Sequence, residues 1–254
     1  MIPKIIHYCW FGESEKPEFV KKCIQSWKKY CPNYEIVEWN ESNFDVNCCA
    51  YVKEAYQCKK WAFVSDYARL WIIYHKGGIY LDTDIELIKN LDVLINNDAY
   101  FGYEDPKHIN TGVGFGAIKG HDIVKAMLED YHAVHFLQQD GEMDLTPCPV
   151  RNSKVLEARG YLLDGHTKQQ DKVKLYSQRW LCPIDYHTGK MEITEETVSI
   201  HHYNGTWMEP YELKIIAIER CIKKIIGTTV AYWIRCRLYN LYHMKQRIQQ
   251  ICKS

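Results

Sequence analysis

The sequence lacks several features that mark whole classes of protein. Its 254 residues carry no net charge, because 32 Lys and Arg balance 32 Asp and Glu, so no overall field attracts nucleic acid. No apolar run approaches the roughly 18–20 residues of a transmembrane helix. The stretch from Met1 to Trp10 lacks the basic region and apolar core of a secretory signal. We therefore expect a cytoplasmic protein that binds no nucleic acid.

The cysteines show no ligand or disulfide pattern. There are eleven of them, scattered along the chain and never spaced C-x-x-C. The adjacent pair Cys48-Cys49 would be a poor zinc chelate on a strand, where neighbouring side chains point to opposite faces. We expect reduced thiols that pack as small hydrophobic groups.

The order of the predicted elements favours an α/β fold. An apolar, β-prone segment over 4–10 is followed by a helical period over 17–30 and an alternating segment over 34–39. Such a strand–helix–strand opening is typical of α/β sheets. Later patterns predict helices over 56–74 and 121–136, strands over 79–81, 99–103, 112–118 and 198–203, and an irregular stretch over 137–190.

The composition changes after Pro210. Residues 211–254 contain nine Lys and Arg against two acids, and their apolar residues recur at helical spacing on either side of Gly227. We predict a domain over 1–210 and a basic amphipathic helical tail over 211–254. The tail has two open interpretations: peripheral contact with an anionic membrane surface, or two helices packed on the domain with a solvated basic face.

The clearest chemical signal is a pair of carboxylates, Asp82 and Asp84, directly after Gly77-Gly78 and a short apolar strand. Strand ends in α/β sheets form the edge where ligands bind. Hard oxygen ligands favour Mg²⁺ or Mn²⁺, which can neutralise a departing diphosphate. Phosphatases of the haloacid-dehalogenase type are disfavoured, because they carry Thr or Val where this sequence has Glu86.

Four ordered motifs make the sequence similar to glycosyltransferase family 32, which includes capsule and mannan-type enzymes. They are IPKIIHYCWFG at 2–12, AFVSDYARL at 62–70, GGIYLDTD at 77–84 and HHYNGTW at 201–207. A more distant resemblance is to the catalytic domains of the large glucosylating toxins. The resemblance covers the first 120 residues and 198–208. It implies a GT-A fold (Rossmann-like, nucleotide-sugar-binding), a nucleoside-diphosphate sugar donor, a divalent cation and retention of anomeric configuration.

The resemblance implies donor-binding roles for residues on the first strand and the helix over 56–74. Trp10 would stack on the nucleotide base, with a core tryptophan as the alternative. Asp66 would bind sugar hydroxyls, and Arg69 would reach the donor sugar or its phosphates, with Ser65 beside them. The alternative for Asp66 and Arg69 is an ion pair on the helix surface.

The same resemblance assigns the metal. Asp84 would ligate it directly, and Asp82 would contact the ribose, the sugar or the metal. Tyr80 would pack against the nucleotide, or be a core tyrosine. Asn110 stands in a predicted turn and either presents its amide to donor or acceptor hydroxyls or is a plain turn residue.

A late histidine completes the metal site in related retaining enzymes, with a tryptophan five residues on near the diphosphate. His202 has that spacing to Trp207, so we prefer it to His201. Alternation along a strand lets only one of the two histidines face the site.

The sequence therefore predicts a metal-dependent hexosyltransferase. Its donor would be a UDP-sugar, favoured over a GDP-sugar, and its acceptor a glycan or lipid-linked oligosaccharide in surface polysaccharide synthesis. One alternative is a sugar nucleotidyltransferase, but the loop at 11–14 lacks the Gly- and Lys/Arg-rich composition that binds a triphosphate. The other is a non-catalytic sugar-binding protein, which we would expect to have lost part of the acidic pair, Asp66 or Arg69.

Overall fold

The computed structural model describes residues 1–185 and 189–204, together with isolated positions between 214 and 238. The chain divides into two compact units, one of residues 1–184 and 191–202 and the other of 185–190 and 203–254. In the second unit the isolated described positions have helical backbone. Trp207 and the predicted membrane contact of 211–254 lie outside the described residues, and the boundary at Pro210 stays a prediction.

Alternating strands and helices build the first unit, as the sequence predicts for an α/β fold. The strands are β1 Ile5–Cys9, β2 Glu35–Trp39, β3 Gly78–Tyr80, β4 Ile85–Leu87, β5 Ala99–Tyr103, β6 Ile109–Ala117, β7 Lys168–Gln170, β8 Val173–Tyr176 and β9 Ser199–His201. The helices are α1 Glu18–Tyr30, α2 Ala50–Gln57, α3 Trp61–Lys76, α4 Asp122–Asp130, α5 Cys148–Ala158 and α6 Gln178–Leu181.

Seven strands form the main sheet, in the order β2-β1-β3-β6-β5-β8-β7. β1 pairs in parallel with β2 and β3, and β5 pairs in parallel with β8. β6 runs antiparallel to both β3 and β5. The carboxyl ends of β1, β2 and β3 therefore share one edge of the sheet, which we call the site edge.

A second, two-stranded sheet joins β4 to β9 in antiparallel register, with Ile85 opposite His201. The sequence did not predict β4, and it predicted the last strand over 198–203. Three-residue strands carry too little alternation to be recognised alone. This pairing brings the late histidines beside Asp84.

The predicted helix over 56–74 is wrong at its start, because two helices occupy this part of the chain. Lys59, between α2 and α3, has a positive φ of 56°, which a helix cannot continue through. α3 then buries an apolar face against β1, β3 and β6. It ends before Gly77, whose φ is 69°, a conformation that glycine adopts without strain. α3 thus packs against the three strands that lead to the site.

The prediction of an irregular stretch over 137–190 is wrong in part, because this stretch contains α5, β7, β8 and α6. Pro149 stands in the first turn of α5, where its missing N–H costs no hydrogen bond. The helix predicted over 121–136 ends at Asp130. Short elements between frequent prolines and glycines have weak periodicity, which hid them.

No described cysteine forms a disulfide. Cys48 and Cys49 lie in a bend before α2, so the strand argument against them does not apply. Within the described residues, no helix is long and apolar enough to cross a bilayer.

Candidate active site

The two carboxylates of the D-x-D motif lie at the site edge, where β3 leaves the sheet. The Leu81 N–H donates to the His7 carbonyl at 3.0 Å, and the Asp82 N–H donates to the Gly112 carbonyl at 3.3 Å. The chain thus stays bonded to β1 and β6 just beyond the end of β3. These bonds fix the backbone of Asp82 at the opening between the two neighbouring strands.

Arg69 joins the α3 residues to the D-x-D motif. Its Nη2 lies 3.0 Å from Asp66 Oδ1 and 3.1 Å from Asp82 Oδ1, and its side chain is 4% exposed. The guanidinium also lies 5.0 Å from the centre of the Tyr80 ring, whose hydroxyl donates to Asp82 Oδ1 at 3.1 Å. A surface ion pair is therefore the wrong interpretation of Asp66 and Arg69, because both are buried.

Ser65 takes part through its backbone. Its carbonyl accepts from Arg69 Nε at 3.2 Å, while its hydroxyl donates to the Trp61 carbonyl at 3.0 Å within α3. Ser65 therefore orients the guanidinium, and its side chain is bonded to its own helix.

Burial and charge act against each other on these groups. Burial raises the pKa of the Asp66 carboxyl to about 6, although Arg69 lowers it. Burial also raises the pKa of Asp82; Arg69 opposes that rise and Asp84 adds to it. Burial alone would lower the pKa of the Arg69 guanidinium, but Asp82 and Asp66 raise it well above its ordinary value. One permanent positive charge faces a surplus of carboxylates, so this site favours a further cation.

Three potential metal ligands meet beside this ion pair. One ligand atom each from Asp82, Asp84 and His201 lies within 4.8 Å of the others. His201 Nε2 is 3.3 Å from Asp84 Oδ1. Burial alone would lower the pKa of His201, but Asp84 raises it well above its ordinary value. Two carboxylates and an imidazole that releases its proton to make room for the ion suit a divalent cation such as Mn²⁺ or Mg²⁺, so the residues present fit the implied metal.

The geometry favours His201 as the ligand, not the preferred His202. His202 Nε2 lies 2.8 Å from Glu86 Oε2, and its ring packs edge-on against Phe19 at 5.2 Å. Pairing of Ile85 with His201 directs His201 to Asp84, and the next residue then points elsewhere. The prediction that only one of the two histidines faces the site agrees with this arrangement.

Trp10 follows β1 at the site edge and is only partly buried, so it is not a core tryptophan. Its Nε1 donates to the Ser14 carbonyl at 2.7 Å. It borders a cleft of about 320 Å³ that Lys16, Glu38 and Asn40 also line. Lys16 Nζ lies over the Trp10 ring, 5.8 Å from its centre, and base stacking by Trp10 stays a prediction.

Asn110 lies inside β6 and not in a turn, which corrects the turn interpretation. Its Oδ1 accepts from the Gly112 N–H at 2.6 Å. A Cβ added at Gly112 would collide with Asp82 Oδ2 and would lie 2.9 Å from Asn110 Oδ1. Asn110 and Asp82 therefore flank one point at the site, and the lack of a side chain at Gly112 makes this approach possible.

Two site residues were missed by the sequence analysis. Glycine inside a strand often marks a close approach, and that signal was available at Gly112. Cys148, the first residue of α5, is buried against Arg69, with Sγ 3.6 Å from Nη1. No local pattern pointed to Cys148, because its partners stand far away along the chain.

Comparison with known proteins agrees with this site. Residues 17–101 match the family described as "Glycosyltransferase sugar-binding region containing DXD motif". The match runs from α1 to β5 and includes both α3 and the D-x-D motif. Residues 17–101 are therefore similar to the sugar-binding region of DXD-type glycosyltransferases, and the resemblance stated from the sequence is confirmed.

Curated relatives are named as mannosyltransferases. The chain is 31% identical over 131 residues to inositol phosphoceramide mannosyltransferase 3 of Schizosaccharomyces pombe (strain 972 / ATCC 24843), covering 47% of this chain and 34% of the relative. It is 28% identical over 160 residues to inositol phosphoceramide mannosyltransferase 1 of the same organism, covering 59% and 47%. The chain spans about a third to a half of the length of these relatives.

Among solved structures, PaToxG glycosyltransferase superposes with a TM-score of 0.51 at 19% identity, over 62% of this chain and 70% of that one. At this identity the likeness shows the fold alone. The fold is the GT-A glycosyltransferase fold, as predicted from the sequence.

Proposed function

We propose that this chain is a metal-dependent glycosyltransferase that moves a hexosyl unit from a nucleoside-diphosphate sugar to a hydroxyl group, with retention of anomeric configuration. The observation that carries the proposal is the cluster of Asp82, Asp84 and His201 beside the buried, ion-paired Arg69. Such a cluster at the end of a strand suits a diphosphate that arrives with a divalent cation.

Asp82, Asp84 and His201 would hold Mn²⁺ or Mg²⁺. When bound, the ion supplies positive charge that stabilises the diphosphate. Arg69 adds a charge of the same sign from the α3 side, pre-oriented by Asp66 and by the Ser65 carbonyl. A charge held in place before the reaction stabilises a developing anion without reorganisation.

The remaining groups bind and orient the donor. Asp66 accepts hydrogen bonds from sugar hydroxyls, and Asn110 supplies amide hydrogen bonds from β6. Trp10 stacks on the base at the far end of the site edge. Holding the anomeric carbon beside the acceptor hydroxyl converts the transfer to an effectively unimolecular step.

Retention follows from attack on the same face that the leaving group departs from. Asp66 and Asp82 are ion-paired to Arg69, and Asp84 to His201, so none of these carboxylates is placed as a nucleophile. The acceptor oxygen forms its bond to the anomeric carbon while the bond to the diphosphate oxygen breaks. The acceptor proton passes to the departing phosphate.

We infer a UDP-sugar as the donor, and a glycan or lipid-linked oligosaccharide of surface polysaccharide synthesis as the acceptor. A second candidate pair is a GDP-sugar donor with an inositol phosphoceramide-like lipid acceptor; the names of the relatives support a mannosyl group and that class of acceptor. Both pairs use the same metal cluster and differ at the base and acceptor positions.

Calorimetric titration of UDP and GDP, with Mn²⁺ and again with chelator, tests the proposal. The comparison uses wild type, Asp84→Asn and the control Asp98→Asn. β5 runs parallel to β3, because both strands are antiparallel to β6. Asp98 comes just before β5 and therefore lies at the amino ends of these strands, on the edge of the sheet opposite the site. We expect metal-dependent binding of one nucleotide, lost in Asp84→Asn and kept in Asp98→Asn.

Equal binding with chelator would reject the metal role of the cluster. Binding of neither nucleotide by folded protein would reject the enzyme. Transfer of radiolabelled hexose from the sugar conjugate of the bound nucleotide then separates a transferase from a non-catalytic sugar-binding protein.

A further inference from the structure

Cys148, in the first turn of α5, contacts three residues on two candidate donor-site elements, α3 and β6. Its buried Sγ lies 3.6 Å from Arg69 Nη1 on α3, 3.9 Å from Thr111 Oγ1 on β6 and 3.6 Å from Asn110 Oδ1 on β6. All three separations fit hydrogen bonds to sulfur.

The chemistry of the partners sets the direction of each bond. Arg69 can only donate, so the sulfur accepts from it. The Asn152 amide nitrogen donates to Thr111 Oγ1 at 3.0 Å, which leaves the Thr111 hydroxyl proton for the sulfur. The thiol's own proton is therefore directed to Asn110 Oδ1, with the Asp66 carboxylate as a second acceptor beside it. Burial raises the pKa of Cys148 well above its ordinary value, so the thiol keeps that proton.

This arrangement determines which way the Asn110 amide faces. Its Oδ1 accepts from both the Gly112 N–H and the Cys148 thiol, and a reversed amide would set its NH₂ group against two donors. The Nδ2 atom makes no hydrogen bond within the described part of the chain. It stays available to donate from β6, the strand whose Gly112 lets Asp82 approach closely.

We propose that Cys148 is a positioning residue of the donor-sugar site, whose thiol orients the Asn110 amide so that Nδ2 donates to a hydroxyl of the hexosyl group. This inference rests on the proposed transferase function. It predicts that Cys148 affects the affinity for the sugar part of the donor and leaves the nucleotide part unaffected.

The test compares the dissociation constants of a nucleoside diphosphate and of its hexose conjugate, with Mn²⁺ present. The probes are UDP with UDP-glucose and GDP with GDP-mannose. In Cys148→Ala we expect the dissociation constant of the hexose conjugate that wild type binds to rise about tenfold, as for one lost hydrogen bond. The dissociation constant of the diphosphate alone should change less than about twofold. In Cys148→Ser, whose hydroxyl can accept and donate as the thiol does, binding should stay within about threefold of wild type.

Two further variants make the test specific. Cys31→Ala removes another buried thiol, one that precedes β2 at the edge opposite the site, and should change neither dissociation constant. Asn110→Ala should weaken binding of the hexose conjugate as much as Cys148→Ala does. The double variant should bind the conjugate no more weakly than either single variant, because both changes remove the same hydrogen bond to the sugar.

The inference fails if Cys148→Ala weakens the binding of the diphosphate and of its hexose conjugate equally, since a purely structural residue would affect both affinities alike. It also fails if Cys148→Ser loses as much as Cys148→Ala, or if the losses of the single variants add. Wild type that binds no nucleotide would instead overturn the proposed function, and this inference with it.

Discussion

Arg69 and Arg151 are both largely buried arginines that pair with two carboxylates and lie over tyrosine rings. Arg69 pairs with Asp66 and Asp82, at 3.0 and 3.1 Å. Arg151 pairs with Asp144, and with Asp130 at 3.6 Å, and its side chain is 11% exposed. Both arginines thus combine the same types of side chain.

The carboxylates differ in what else holds them. The Asp144 carboxylate also accepts from the Thr146 N–H at 2.9 Å. Although burial raises the pKa of Asp144, bonds from Thr146 and the charge of Arg151 lower it below its ordinary value. Asp66 has too little such support, and its pKa is raised to about 6. The charged form of Asp144 is thus stabilised by its surroundings, whereas that of Asp66 is disfavoured, so we assign the Arg151 cluster to the stability of the fold and the Arg69 cluster to ligand binding.

The largest expected effect separates the two arginines by activity. Arg69→Lys should lower kcat/KM for hexosyl transfer about 10³-fold, because a lysine cannot bridge two carboxylates with one planar group and still face a diphosphate. Arg151→Lys should change it less than about threefold. Steady-state kinetics on both variants, with circular dichroism to confirm folding, measures this. Equal losses would mean that both clusters serve the reaction.

The next effect is that the two clusters should change the free energy of unfolding with pH in opposite directions. The folded pKa of Asp66, about 6, exceeds its ordinary value of 3.8. Asp66 therefore contributes stability that is fully present below about pH 4 and is lost as pH rises through about 6, by about 3 kcal/mol in total. The lowered pKa of Asp144 predicts stability present above its ordinary pKa and lost as pH falls through the folded value.

Urea unfolding of wild type, Asp66→Asn and Asp144→Asn between pH 3 and 8 measures both contributions. Relative to wild type, Asp66→Asn should become more stable as pH rises from about 4 to 7. Asp144→Asn should show the reverse trend below about pH 4. The same trend in both variants would refute the contrast between the clusters.

A smaller effect should appear when Arg151 loses its charge. Arg151→Met should lower the free energy of unfolding by about 2 kcal/mol, because the partly buried Asp144 carboxylate keeps its burial cost without its cation. The affinity for nucleotide should not change, since Arg151 belongs to the stabilising cluster. Denaturant melts and nucleotide titration on one preparation provide both values. Weakened nucleotide binding in fully folded Arg151→Met would contradict this assignment.

The smallest expected effect concerns the neighbouring histidines. His201→Gln should weaken Mn²⁺ binding about tenfold, as expected when a metal site loses part of its support. His202→Gln should leave it unchanged, because His202 contacts Glu86. Calorimetry with Mn²⁺ on the two variants compares them directly. A larger loss in His202→Gln would restore the preference derived from the sequence.

Features that depend on residues close along the chain were predicted well. The strand Ala99–Tyr103 has the predicted bounds, and α1 and β2 begin one residue later than predicted. The three-residue spacing of Asp66 and Arg69 placed them together on α3. The D-x-D pair at a strand end needed no more than the preceding Gly-Gly and apolar run to be recognised.

Features that depend on distant pairings were missed or incorrectly assigned. The choice between His201 and His202 is made by the register of β4 with β9, two strands too short to show a period of their own. Cys148 reaches Arg69 across 79 positions of sequence, which no local pattern reports.

The sequence by itself determined the α/β class, the D-x-D carboxylates at a strand end and the proximity of Asp66 to Arg69. These depend on periodicity and residue type over a few positions, where covalent geometry sets which side chains share a face. The tertiary structure decided that His201 and not His202 faces Asp84, that Gly112 lets β6 approach Asp82, and that Cys148 faces Asn110. These contacts arise when strands and helices from separate parts of the chain pack together, so their geometry follows from strand register and core packing.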